Sequence, residues 1–203
     1  MKIFFVRHGK TEENEKGIIM GHLPGTLSSL GLKQANTKAK MLKDREIDFI
    51  CSSDLKRALD TGNIIARSLH MPLKSTKALR ECQLGKLQGS IIDPNLEYKF
   101  DTDYCKNKFK KYSVEHPSDF YKRLKTFLSF LYNNYSDKTI LIVSHSIAFR
   151  FFVAAAKNKP ASYASRIRSL ENDEIAVFYV NKKVAFNSRL SKKQSYLHRS
   201  IFP

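Results

Sequence analysis

The chain is poor in the residues that build covalent or metal frameworks. It has three cysteines, Cys51, Cys82 and Cys105, in 203 residues. The count is odd and no CxxC pair occurs, which argues against a disulfide framework or a zinc site and fits free thiols in a reducing compartment. Long apolar runs are missing too. None reaches the length a bilayer requires. The IFFV run at residues 3–6 is too short for a signal-peptide core, and no small-residue cleavage site follows it. A cytoplasmic location with no transmembrane segment is therefore expected. Internal repeats and low-complexity linkers are absent. Acidic residues are scarce: 19 Asp and Glu stand against 36 Lys and Arg, for a formal net charge of +17.

That cationic field raises the local concentration of anionic partners, whether phosphorylated metabolites, nucleic acid or acidic membrane, without choosing among them. The charge is uneven. Residues 182–203 carry Lys182, Lys183, Arg189, Lys192, Lys193 and Arg199 and no Asp or Glu. A like-charge run of this kind reads as solvated, so residues 188–203 are expected to form a basic C-terminal tail behind a single catalytic domain over residues 1–187.

What the chain does contain is alternation of short apolar runs with helix-period segments. IFFV (3–6), DFIC (48–51) and ILIV (140–143) read as strands buried on both faces, the first of them central. Ser28 is placed to cap a helix to about Lys43, with Leu32, Ala35, Ala39 and Leu42 on one face. Ser53 is placed to cap the next, and Ser118 precedes a third with Phe120, Leu124, Phe127, Leu128 and Leu131 inward. A fourth runs from about Ile147 to Ala156. EIAVFYV (174–180) and VAF (184–186), split by NKK, read as a hairpin. The alternation implies an α/β fold, a three-layer α/β/α sandwich with a mostly parallel central sheet. Residues 90–117, of mixed charge and with Pro94 and Pro117, read as an irregular insertion or lid.

The polar residues fall at telling places. His8 follows the first apolar strand, His145 follows ILIV, and Arg57 lies in the first turn of the helix after DFIC. All are at carboxyl ends of strands, where open α/β sheets bind ligands. Arg7, His8, Arg57 and His145 can therefore converge, and two arginine forks suit a phosphate. Gly9 is read as allowing a tight turn beside them.

VRHGKTEEN (residues 6–14) resembles the signature of the histidine phosphatase superfamily, which includes cofactor-dependent phosphoglycerate mutases and fructose-2,6-bisphosphatases. GHLPGTLSSLGLKQA (21–35), SSDLKRALDT (52–61), LRECQLGKLQG (79–89) and IVSHS (142–146) resemble its later motifs, in family order. The resemblance implies that His8 is the phosphoryl-accepting nucleophile and Glu81 the proton donor. It implies that Arg7, Arg57 and His145 hold the phosphate, with Asn14, Gly21 and His22 approaching it. Ser146 stands where the family more often has Gly. As the neighbour of His145 it counts among the substrate-binding positions, and its expected local role is to cap the following helix. Lys10 and Gln88 also depart from the family pattern.

These residues point to a metal-independent phosphatase acting on a small phosphomonoester, with no cofactor. The first alternative is a cofactor-dependent phosphoglycerate mutase, but residues 82–144 leave little room for the long insertion mutases carry. The second is a basic module that binds nucleic acid or an acidic membrane surface, for which a proton donor at Glu81 would be superfluous.

Overall fold

The computed structural model describes residues 1–92 and 103–181. Among them, β1 (Lys2–Arg7), β2 (Phe49–Ser53), β3 (Leu73–Thr76), β4 (Thr139–Ser144) and β5 (Ile175–Tyr179) form one sheet in the order β3-β2-β4-β1-β5. The first four run parallel and β5 is antiparallel to β1. The expected α/β architecture holds, with two adjustments. The middle strand is β4, and β1 lies beside it rather than at the centre. The short β3 has no long apolar run to announce it, because it lies at the sheet edge and is only half buried.

Alternation along the strands divides the core. Phe4, Val6, Ile50, Leu141 and Val143 point to one face. There they meet α2 (Ser29–Leu42) and α3 (Lys56–Ser68) through Ala39, Leu42, Ala58 and Ile65. Ile3, Phe5, Cys51, Ile140 and Ile142 point to the other, against Phe120, Leu124, Phe127 and Phe152. Those aromatic and aliphatic side chains belong to α4 (Pro117–Tyr135) and α5 (Ser146–Ala156). Strands buried on both faces carry continuous apolar runs for this reason. A four-residue helix, α1 (Glu12–Glu15), follows β1 and is closed by a capping box between Thr11 and Asn14.

The helix starts differ from the sequence expectation in three places. Ser28 does cap α2, accepting from the Gly31 amide at 3.2 Å. The cap position of α3 is Leu55, however, and that of α4 is His116, whose ring accepts from the Ser118 amide. Ser53 Oγ instead accepts from the Leu55 amide and contacts His145. Ser146 is the first residue of α5, and His145 occupies its cap position without a side-chain bond. The apolar face of α2 is also rotated: Gly31, Ala35, Lys38, Ala39 and Leu42 are buried, while Leu32 is 46% exposed.

Residues 103–117, the described part of the expected insertion, are anchored. Tyr104 and Phe109 are buried, and Tyr104 packs against Phe120 and Phe151. The partner expected for β5 at 184–186 and the basic tail lie outside the described residues. Among the described residues no helix is long and apolar enough to cross a membrane. Cys51, Cys82 and Cys105 are free thiols.

Candidate active site

The register of the sheet creates the site. Arg7 pairs with Ser144 across β1 and β4, so His8 and His145 leave adjacent strands side by side. Their ring centres are 5.2 Å apart. α2, the long helix between β1 and β2, packs on one face of the sheet and α5, after β4, on the other, which opens a crevice at the carboxyl edge. It is a cleft of about 780 Å³, and its lining includes Arg7, His8, Lys10, Asn14, Gly21, Arg57, Glu81, Ser146 and Arg150.

Every backbone polar group around His8 is held. The His8 amide donates to the Ser144 carbonyl at 3.0 Å. Asn172 Nδ2 donates to the His8 carbonyl at 2.7 Å, and the Gly9 amide donates to Thr61 Oγ1 at 3.0 Å. Lys38 Nζ donates to the Arg7 carbonyl at 2.7 Å. Gly9 is required for closeness rather than for a turn: a Cβ there would lie 2.4 Å from the Gly31 carbonyl oxygen.

The hydrogen bonds also fix the imidazole. His8 Nδ1 lies 2.8 Å from the Gly9 carbonyl, which can only accept, so Nδ1 carries the proton. Arg57 Nε donates to His8 Nε2 at 3.2 Å, so Nε2 presents its lone pair. Burial, with Arg57 and Arg7 alongside, holds the ring well below the usual histidine range and keeps it neutral. His145 is fully buried and is held neutral in the same way, by burial first and then by Arg57 and His8. Its Nε2 lies 2.8 Å from Ser53 Oγ, and its Nδ1 has no hydrogen-bond partner among the described residues.

Arg57 is 1% exposed and reaches in from α3. Its fork donates to the carbonyls of Leu23 and Gly21, the latter at 2.8 Å. Burial lowers it to about 10, against the pull of Glu81. Gly21 has φ +50, and a Cβ there would lie 2.3 Å from Gln88 Oε1, so both conformation and space call for glycine. Arg7 Nη1 donates to the Leu170 carbonyl at 3.2 Å and lies 3.9 Å from Glu171. Burial lowers its pKa as well.

Glu81 occupies the N-terminus of α5. Its Oε1 accepts from the amides of Cys82 and Ala148, each at 3.0 Å, and Oε2 accepts from Ile147 at 3.1 Å. A carboxylate from a distant segment thus caps the helix that His145 and Ser146 leave uncapped. The segment bearing it is fixed by Arg123 of α4. Arg123 Nη1 donates to the carbonyls of Ala78 and Arg80 at 3.0 Å, and Nη2 donates to that of Glu81 at 3.3 Å. The same guanidinium pairs with Glu115 at 3.0 Å.

Of the positions singled out from sequence, the structure brings Arg7, His8, Asn14, Gly21, Arg57, Glu81 and Ser146 to the cleft wall. His145 lies directly behind, against His8. The His22 ring turns away, with Nε2 donating to the Glu81 carbonyl at 2.8 Å. The sequence reading missed Arg150, one turn into α5, which faces the cleft and is lowered by burial to about 10. Its position five residues after His145 was the available signal. Asn172, Lys38 and Arg123 gave none, because the carbonyls they hold at the site are distant in sequence. No group of three or more His, Cys, Asp or Glu among the described residues is arranged to hold a metal ion.

Comparison with known proteins agrees with this geometry. The sequence matches the histidine phosphatase superfamily (branch 1) over residues 3–189. The chain belongs to that superfamily. It is 29% identical over 160 residues to phosphoserine phosphatase 1 of Hydrogenobacter thermophilus, covering 76% of this chain and 75% of that one. It is 29% identical over 185 residues to phosphoglycerate mutase-like protein 4 of Arabidopsis thaliana, covering 87% and 78%. In fold it matches a mycobacterial glucosyl-3-phosphoglycerate phosphatase solved with VO3, with TM-score 0.77 over 87% of this chain and 91% of that one, at 24% identity.

Membership puts the chain's departures in physical terms. At Gln88, one of the positions that depart from the resembled motif, Oε1 accepts from the amides of His22 at 2.8 Å and Leu84 at 3.2 Å. Lys10 lies on the cleft wall, with its backbone amide donating to Gln34 Oε1 at 2.9 Å.

Proposed function

We propose that this histidine phosphatase superfamily member hydrolyses a small phosphomonoester through a phosphohistidine on His8. The observation that carries the reading is the state of His8: a neutral imidazole with its proton fixed on Nδ1 and the Nε2 lone pair held by Arg57. Only that tautomer can attack phosphorus from Nε2.

Arg7, Arg57 and His145 take up the equatorial oxygens of the phosphoryl group. The Arg57 Nε–H passes from His8 Nε2 to a phosphoryl oxygen and frees the lone pair. We assign a bond to the same group to Nδ1 of His145, which has no hydrogen-bond partner among the described residues. The Nε2–P bond forms as the ester P–O bond breaks, and Glu81, entering the step as the carboxylic acid, gives its proton to the departing alkoxide. Water then attacks phosphorus, its proton passes to the Glu81 carboxylate, and cleavage of N–P returns His8 neutral. The buried guanidinium of Arg57 and the partly buried one of Arg7 supply the charge that a metal ion supplies at other phosphoryl-transfer sites. We therefore assign no metal and no cofactor to the reaction. Asn14, Gly21, Ser146 and Arg150 are assigned to the substrate, and His22 to support of Glu81.

The single-domain reading over residues 1–187, with an irregular insertion or lid at about 90–117, belongs to the same proposal. So does a cytoplasmic location, which three unpaired thiols fit. A panel of phosphorylated metabolites tests the reaction. Phosphate release should proceed in the presence of a chelator and without a bisphosphorylated primer, and vanadate should compete. Release that requires Mg²⁺ or Zn²⁺, or primer-dependent conversion of 3- to 2-phosphoglycerate without net phosphate release, would overturn the proposal.

A further inference from the structure

Lys38 is a lysine in a core position. It follows Gly31 and Ala35 on the buried stripe of α2, its side chain is 0% exposed, and Nζ donates to the Arg7 carbonyl at 2.7 Å. An ammonium with no solvent around it is costly unless charge compensates it. The charged and titratable groups facing it are Arg7 and His8 at the end of β1 and Asp173 in the segment before β5. Arg7 repels it, Asp173 attracts it, and burial dominates, so the amine falls to about 7.

We propose that Lys38 is a positioning residue for the Arg7–His8 step of the backbone, and that its amine gains a proton when a phosphoryl dianion occupies the cleft. The hydrogen bonds support the first half, and the complete burial of the amine beside Arg7 supports the second. The bond to the Arg7 carbonyl holds the peptide that links the phosphate-binding arginine to the nucleophile, and Asn172 holds the next carbonyl. Lys38 also lowers His8, by less than burial, Arg57 and Arg7 do. Two negative charges entering at His8 offset the repulsion from Arg7 and favour the ammonium. The proton comes from solvent, no covalent bond changes, and the buried ammonium adds to the charge of Arg7 and Arg57 when the phosphoryl group is present. The inference rests on the phosphate site proposed above.

Calorimetric titration with tungstate, a phosphate-like dianion that does not itself titrate near neutrality, separates the two. Run at pH 7.5 in buffers of different ionisation enthalpy, it reads proton uptake directly. Wild-type protein should take up on the order of half a proton more than Lys38→Met. Its tungstate affinity should fall roughly threefold more per pH unit between pH 7 and 8 than that of the variant, by linkage. Lys38→Gln, which keeps a donor for the Arg7 carbonyl, should lose the uptake as Lys38→Met does while retaining more turnover. Equal uptake in wild type and both variants would overturn the Lys38 assignment and leave the phosphate site intact. Failure of wild-type protein to bind tungstate at all would overturn both.

Discussion

Glu81→Gln separates the two roles that the structure gives one carboxylate. Glu81 is 7% exposed and accepts from three amides, those of Cys82, Ile147 and Ala148. Glutamine can place its oxygen at the Oε1 position and keep two of those bonds. Its NH₂ then faces the Ile147 N–H, donor against donor, at the start of α5. Leaving that partly buried amide without its acceptor costs up to about 1–3 kcal/mol. Urea denaturation should show a loss of that size. Chemistry should suffer separately. An alkyl phosphate needs a proton on its leaving oxygen, and general acid help of this kind is worth about 10²–10⁴-fold. A p-nitrophenyl leaving group needs far less, so phosphoenzyme formation should fall steeply on the alkyl ester and modestly on the aryl ester. The assay is single-turnover release of both alcohols by wild type and variant, with stability measured on the same samples. Equal losses on both esters would refute the acid role and leave Glu81 as the cap of α5 alone.

Arg57→Lys removes the Nε–H that holds His8 Nε2 and the fork that holds Gly21 and Leu23; kcat/KM should fall by about 10²–10³-fold, as for loss of a preorganised donor. A loss under threefold in steady-state assays would contradict its place at the phosphoryl group. Arg123→Lys keeps a cation but loses the simultaneous bonds to the carbonyls of Ala78, Arg80 and Glu81. It should lower kcat on alkyl esters more than on aryl esters with KM nearly unchanged, and a change in KM alone would count against positioning of Glu81. Lys38 makes a stability prediction whose sign follows from its folded amine titrating at about 7 and an unfolded lysine at about 10.4. Between those values the unfolded chain binds a proton that the folded one does not, so stability rises with pH from 7 toward 10 and is lost as pH falls. The wild-type minus Lys38→Met difference in urea stability should climb by up to about 1.4 kcal/mol per pH unit between 7 and 8.5, and a flat difference would contradict the buried-amine account.

The residues that could be read from sequence are those whose own strand or motif fixes their place. IFFV and ILIV declared themselves as doubly buried strands, and strand-end positions alone put His8 and His145 on one edge. The sequence motifs added Glu81, whose distance from the strand ends hid it. The residues that escaped are those defined by tertiary partners. Ser53 has the look of a helix cap, but its hydroxyl is beside His145. Leu32 looks like a core residue and Lys38 like a solvent one, yet the stripe of α2 starts one residue earlier, at Gly31, because the β1 loop passes directly over that glycine. Arg123 resembles any charged residue on an amphipathic helix, and its worth lies in carbonyls more than 40 positions away.

Trapping the intermediate tests the central claim most directly. Protein mixed with a ³²P-labelled phosphomonoester and quenched within one turnover should carry label that survives alkali, is lost in acid, and maps to the peptide containing His8. His8→Ala should carry none while still binding vanadate or tungstate in the cleft. Label at the wild-type level in His8→Ala, or steady turnover with no labelled protein at any quench time, would contradict the account.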